Sequence, residues 1–139
     1  MKVNEIMHKG AEWVAPDTPV TMLATKMLNE DIGAIPIRQD GQLVGIVTDR
    51  DITLRAVANG KDISKLTARD VMTRGVSCCH DTEEVDDAVQ LMESKHIRRL
   101  PVLDKRDRLI GMLSLGDISS SMPRDVTGEL VQTVSAHHA

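Results

Sequence analysis

GIVTDRDI, Gly45–Ile52, closes one apolar run of the chain, and GMLSLGDI, Gly111–Ile118, closes another 66 residues later. Glycine, two apolar residues, a hydroxyl residue, two variable positions, aspartate and isoleucine recur in the same order. The flanks recur as well. NEIMHKG (Asn4–Gly10) matches RDVMTRG (Arg69–Gly75), and the stretch from Asp17 to Ile37 matches that from Asp81 to Val102. Pro36 and Pro101 lie 65 apart, so the extra residue falls between IRQDGQL and LDKRDRL, where a hairpin loop tolerates it. The chain is a tandem repeat. One copy spans residues 1–60 and the other 69–122, with a joining stretch over 61–68 and a helical tail over 123–139.

Each copy reads β-α-β-β-α. A short strand (AEWVA; GVSCC) precedes a helix that starts at an Asp-Thr cap, Asp17–Thr18 or Asp81–Thr82. Val20, Leu23, Ala24, Met27 and Leu28 keep helical spacing, as do Val85, Ala88, Val89 and Met92. Two apolar runs follow, split by QDG in copy one and DKRD in copy two, which is hairpin chemistry. A second helix starts at Thr48 or Ser114. In the tail, Pro123 opens a helix whose Val126, Leu130 and Val134 share one face, with a frayed end. A unit this small cannot cover its own sheet, so two copies are expected to pack together.

The chain has 139 residues and a net charge of −4, which argues against a phosphate-tracking surface. One Trp, no Tyr and no Phe leave no aromatic platform for stacking bases. No stretch approaches the roughly 18–20 apolar residues of a membrane span, and the N-terminus lacks an apolar export segment. Cys78 and Cys79, the only cysteines, are adjacent and build no disulfide framework. A cytoplasmic location is the expectation.

The first reading of the octet is structural. Thr48-x-x-Asp51 and Ser114-x-x-Asp117 fit capping boxes, and an acid in the first turn suits the helix dipole. The second reading uses the same geometry. A strand running into a helix presents amide N–H groups and positive dipole charge. The hydroxyl can join those amides on a phosphate, the carboxylate can accept from ribose hydroxyls, and glycine permits close approach.

With the IM/VM dipeptides, IPI/LPV and the G-h-h-[ST]-x-x-D-[IL] ending, residues 1–122 resemble a CBS-domain pair, or Bateman module. The resemblance implies an α/β (α+β) fold of tandem repeats packed about a pseudo-twofold axis, in a regulatory module binding adenine nucleotides in clefts between the repeats. AMP is the foremost ligand, with ATP, ADP, NAD and S-adenosylmethionine as alternatives. No cofactor is required, and no catalytic activity is implied. Carried over, Thr48 and Asp51 serve phosphate and ribose in one cleft, and Ser114 and Asp117 in the other. Ile46 and Met112 line the adenine or ribose wall. The positions before the prolines, Ile32, Gly33 and Ala34 in copy one and Ile97, Arg98 and Arg99 in copy two, also belong to the site. Arg50 and Arg55 neutralise phosphate in copy one, where Gly33 and Ala34 depart from the basic pattern. Copy two has Leu115 and Gly116 within its motif but brings Arg98 and Arg99. The two sites are therefore expected to be unequal. A homodimer and an effector protein that the sequence does not name complete the expectation.

Two rivals stand beside it: a ligand-free interaction scaffold, and a redox sensor built on Cys78–Cys79. The five histidines show no metal-ligand spacing apart from the terminal His137–His138 pair, and no metal site is expected. KHIRR (Lys95–Arg99) is too short a basic stretch for nucleic acid in an acidic chain.

Overall fold

The computed structural model describes residues 1–10 and 12–136. In chain order the elements are α1 (Val3–Ile6), β1 (His8–Lys9), α2 (Val20–Glu30), β2 (Ala34–Gln39), β3 (Gln42–Thr48) and α3 (Asp49–Asp51). A π-helical stretch, Ile52–Val57, continues α3, and a 3₁₀ turn follows at Ile63–Lys65. The second half carries α4 (Ala68–Val71), β4 (Cys79–His80), α5 (Val85–Lys95), β5 (Arg99–Leu103), β6 (Leu109–Ser114), α6 (Leu115–Ser121) and α7 (Arg124–Ser135).

Both hairpins form as the turn chemistry predicts. β2 and β3 pair antiparallel, with a register shift at Ile37/Arg38. Their turn residues Asp40 (φ 53°) and Gly41 (φ 79°) are both left-handed, as a tight primed turn demands. The β5–β6 loop holds the extra residue. Asp104 Oδ1 accepts from the amides of Arg106 and Arg108, both at 2.9 Å, and Asp107 takes the left-handed position.

The compact units are cut differently from the sequence repeats. One is contiguous, Glu12–Val76; the other joins Met1–Ala11 to Ser77–Ala139. The opening segment of copy one is thus part of the unit that contains most of copy two, while residues 69–76 of copy two belong to the contiguous unit. There β1 pairs with β6, His8 opposite Met112, to give a four-stranded sheet in the order β1-β6-β5-β4. In the contiguous unit the segment after the 3₁₀ turn takes the same place. Thr73 bridges Ile46, and Val14 bridges Ile37 on the other edge of the hairpin.

This exchange corrects the expected helix starts. The first helices begin at Val20 and Val85, after Pro19 and Glu84, without a side-chain cap. The Val20 amide donates instead to the Leu66 carbonyl at 3.0 Å, and the Val85 amide to that of Met1 at 2.9 Å. Residues 16–18 and 81–83 form turns whose carbonyls receive the amides of Arg69 and Ala68, and of Asn4 and Val3. A backbone partner therefore does at long range what an Asp-Thr cap would do locally. The expected strands also shrink. AEWVA contributes only the Val14 bridge, its first residue lying outside the described residues, and GVSCC contributes Cys79 of β4.

Each unit has its own core. Val20, Leu23 and Met27 of α2 pack with Ile35, Ile37, Val47, Ala68, Val71 and Met72. Ala24 and Leu28 do not: Leu28 is 80% exposed. The buried stripe of α2 is narrow, and position 28 lies past its edge. In the other unit Val85, Ala88, Val89 and Met92 are all buried, against Leu100, Val102, Leu113 and Ile118. The tail is part of this core, with Leu130 and Val134 buried and Val126 packed against them. The stretch over 61–68 is likewise packed, with Ile63 and Leu66 against the contiguous unit's core. The frayed end expected at 137–139 lies outside the described residues.

Candidate functional site

The strand-to-helix corners carry the octets. Thr48 caps α3 and Ser114 caps α6, each with a complete capping box. The Thr48 amide donates to Asp51 Oδ2 at 2.8 Å and the Asp51 amide to Thr48 Oγ1 at 3.1 Å. Ser114 and Asp117 repeat this at 2.9 and 3.2 Å. The structural reading of S/T-x-x-D is thus correct at both corners.

The hairpin register brings the predicted residues together within each unit. Ala34 lies opposite Thr48 and Pro36 opposite Ile46; Arg99 lies opposite Ser114 and Pro101 opposite Met112. The Asp49 amide donates to the Gly33 carbonyl at 3.1 Å, and the Leu115 amide to that of Arg98 at 2.9 Å. Ile32, Gly33 and Ala34 thereby flank the first corner, and Ile97, Arg98 and Arg99 the second. Arg98 and Arg50 are exposed, and Arg99 is half-buried.

The amides expected to await a phosphate are mostly in use. At the first corner the Asp49, Arg50 and Asp51 amides donate to Gly33 O, Asp49 Oδ1 and Thr48 Oγ1. At the second, the Leu115 and Asp117 amides are taken, and that of Gly116 has no partner among the described residues. The carboxylates differ in the same sense. Asp51 Oδ1 receives the Thr73 hydroxyl at 3.4 Å and has Arg55 Nε 3.9 Å away. Asp117 Oδ1 has no partner among the described residues. Arg55, expected on phosphate, donates to the carbonyls of Val71 and Met72 at 3.2 and 2.7 Å. It therefore holds the exchanged segment against its helix. Nothing local in the sequence signals the Thr73 and Arg55 contacts, because their partners are 22 and 16–17 residues away.

The repeated glycine also finds its reason here. A Cβ on Gly45 would lie 2.8 Å from the Thr73 carbonyl oxygen and from Met72 Sδ. On Gly111 it would lie 2.7 Å from the His8 oxygen and 2.9 Å from Met7 Sδ. The close approach that glycine permits is that of the exchanged IM/VM segment. An open groove of about 630 Å³ runs along α2, lined by Val14, Thr18, Met22 and Lys26 among others, and includes none of the predicted site residues.

Among the described residues no cluster of ligating side chains could hold a metal, and no helix is long and apolar enough to cross a membrane. The His137–His138 pair lies outside the described residues. Burial, with Glu83 and Cys78 adding, pushes the Cys79 thiol up to about 12, and burial with Asp107 also raises Cys78.

YhcV of Bacillus subtilis, a CBS domain-containing protein, is 33% identical over 134 residues, covering 96% of this chain and 94% of its own. An uncharacterised Methanopyrus kandleri protein, MK0525, is 33% identical over 124 residues, 88% of this chain; the match spans only 63% of that relative's length. Among solved structures, the CBS domain pair of protein MJ0100 superposes with a TM-score of 0.77 at 30% identity, over 86% of this chain and 94% of that one. It was solved with 5′-methylthioadenosine and S-adenosyl-L-methionine. The CBS-domain profile matches residues 3–57 and 68–124, each match ending beyond one of the two capped corners, and the chain belongs to the CBS-domain family as a tandem pair.

Proposed function

We propose that this chain is a regulatory module that binds an adenosyl ligand, and that the corner of β6 and α6 supplies its principal contacts. The observation that carries the reading is the unshared Asp117 Oδ1 beside Ser114, with Arg99 across the hairpin and Arg98 next to it. One carboxylate oxygen builds the capping box; the other can accept from ribose hydroxyls, while the arginines face a phosphate or carboxylate tail. MJ0100, solved with two adenosyl compounds, supports the ligand class. Met112, opposite Pro101, offers the apolar wall. Asp51 spends both oxygens on the protein, so the Thr48 corner, with Ile46 and Arg50, is the weaker site. Ligand binding shifts the module between arrangements only as far as its affinities for them differ, and an effector protein reads the change.

Isothermal titration with AMP, ADP, ATP, NAD and S-adenosylmethionine tests this on wild type, Asp51→Ala and Asp117→Ala. Loss of a charged hydrogen bond is worth about 1.5–3 kcal/mol, so Asp117→Ala is expected to weaken binding at least roughly tenfold, and Asp51→Ala much less. Asp117→Asn, which keeps a capping oxygen, separates binding from cap loss. Equal affinities in all three proteins overturn the assignment.

A second reading, an interaction scaffold without ligand, is favoured by the first corner, where capping and backbone packing account for Gly45, Thr48 and Asp51. It predicts no thermal stabilisation by any of the five compounds.

A further inference from the structure

Outside these corners two side chains bury a polar atom with no hydrogen-bond partner among the described residues, Arg38 Nε and Thr127 Oγ1, and only Arg38 carries a charge. Arg38, at the register shift between β2 and β3, makes no side-chain hydrogen bond or ion pair among the described residues. Its Nε is buried without an acceptor. Its guanidinium carbon stands 4.8 Å from the centroid of the Trp13 ring, which is 46% exposed. Glu12, the acid beside Trp13 in the chain, is paired with Lys26 and does not serve it.

The energetics leave this arrangement incomplete. A cation over an exposed aromatic ring gains less than a buried charged donor loses when it has no acceptor. The fold does not require the pair. In the other unit the positions with the same strand pairing, Val14 with Ile37 against Cys79 with Val102, put Cys78 and Leu103 where Trp13 and Arg38 stand. Leu43 faces Arg38, and Leu109 faces Leu103 in the same way. An arginine and the chain's only tryptophan therefore replace two residues that suffice elsewhere for the same architecture.

We propose that Arg38, oriented by Trp13, is an oxyanion-binding site that takes the phosphate or carboxylate group of a small ligand on its terminal guanidinium nitrogens. With Nε shut off from solvent, Nη1 and Nη2 form the fork that matches two oxygens of such a group. The bound anion neutralises a charge delocalised over all three nitrogens. The indole fixes the plane of the fork, so less side-chain freedom is lost on binding. This site is independent of the Asp117 corner.

Trp13 is the sole tryptophan, so its fluorescence reports on this place alone. Wild type, Arg38→Lys and Arg38→Leu are titrated with inorganic phosphate and with acetate, with chloride at matched ionic strength as control. Arg38→Leu should fold, since Leu103 fills the equivalent position; a melting curve checks it, and Arg38→Lys retains the charge without the fork. The expected result is a saturable emission change in wild type, at least tenfold weaker in Arg38→Leu and intermediate in Arg38→Lys. Response to phosphate alone identifies a phosphate site, and response to acetate alone a carboxylate site. A wild-type response no different from chloride, or equal affinity in Arg38→Leu, overturns the proposal.

Discussion

Replacing Gly111 with alanine tests whether the repeated glycine serves the exchanged segment or a ligand. The new Cβ would lie 2.7 Å from the His8 carbonyl oxygen and 2.9 Å from Met7 Sδ, well inside the roughly 3.5–4.0 Å at which carbon contacts are favourable. Met7 can turn aside; the backbone oxygen cannot. β1 is held by its pairing with β6 and by the Gly10 amide on the Ile110 carbonyl at 3.1 Å. Its leading end is held by Val3 and Asn4 on the carbonyls of Glu83 and Asp81. Overpacking costs about 1–3 kcal/mol, and one backbone hydrogen bond lost as β1 retreats costs about 1 more. For a cooperative chain of 139 residues, with unfolding entropy near 2.1 cal/mol/K per residue, a loss of about 2–4 kcal/mol lowers Tm by roughly 7–14 °C. Gly45→Ala should behave alike, with Thr73 O and Met72 Sδ both at 2.8 Å. Gly116→Ala is the control, because its Cβ meets only Ser114 Oγ at 3.6 Å; helix propensity should leave it neutral or slightly stabilised. Differential scanning calorimetry without ligand reads all three. If Gly111→Ala melts like wild type, the glycine does not serve the exchanged segment.

Two further outcomes follow from the titratable groups. His80 Nε2 lies 2.7 Å from Asp107 Oδ1 and its Nδ1 3.4 Å from Glu83 Oε1. The Asp107 hydrogen bond, helped by Glu83 and opposed by burial, raises its pKa above the usual 6.5. A raised folded-state pKa stabilises fully below pH 6.5, and that contribution disappears as pH rises through the folded value. His80→Gln should flatten the fall in denaturant midpoint above pH 6.5, and an NMR titration placing His80 at or below 6.5 would contradict the geometry. Cys79, buried with its thiol pushed up to about 12, should resist iodoacetamide at pH 8 until the unit unfolds. Rapid labelling of the native protein would reopen the cysteine redox reading.

Much of the fold is legible because its determinants are short-range. The primed turn at Asp40–Gly41, the capping boxes at Thr48 and Ser114 and the face shared by Leu130 and Val134 each lie within a few residues of sequence. The candidate site is legible to the same extent. The hairpin register that sets Ala34 opposite Thr48 and Arg99 opposite Ser114 follows from turn position and strand alternation. The placing of Arg38 over Trp13, without an acceptor for its Nε, is not legible, because an arginine in a sequence declares its charge and not its neighbours.

The sequence by itself determined the tandem β-α-β-β-α repeat, its corners and the chemistry offered at each. Only the tertiary structure decided which amides, carboxylate oxygens and arginines the protein uses for itself. The exchanged segments explain the difference. Residues 1–10 complete the sheet of the unit containing β6, and residues 66–73 cap and flank the unit containing β3. These are backbone hydrogen bonds between stretches far apart in the chain, and backbone donors and acceptors are common to all residues but proline's missing N–H. They leave no local pattern except the two glycines that make room for them. What separates the two octets is a side chain on those segments: the Thr73 hydroxyl reaches Asp51 Oδ1, whereas Asp117 Oδ1 has no partner among the described residues.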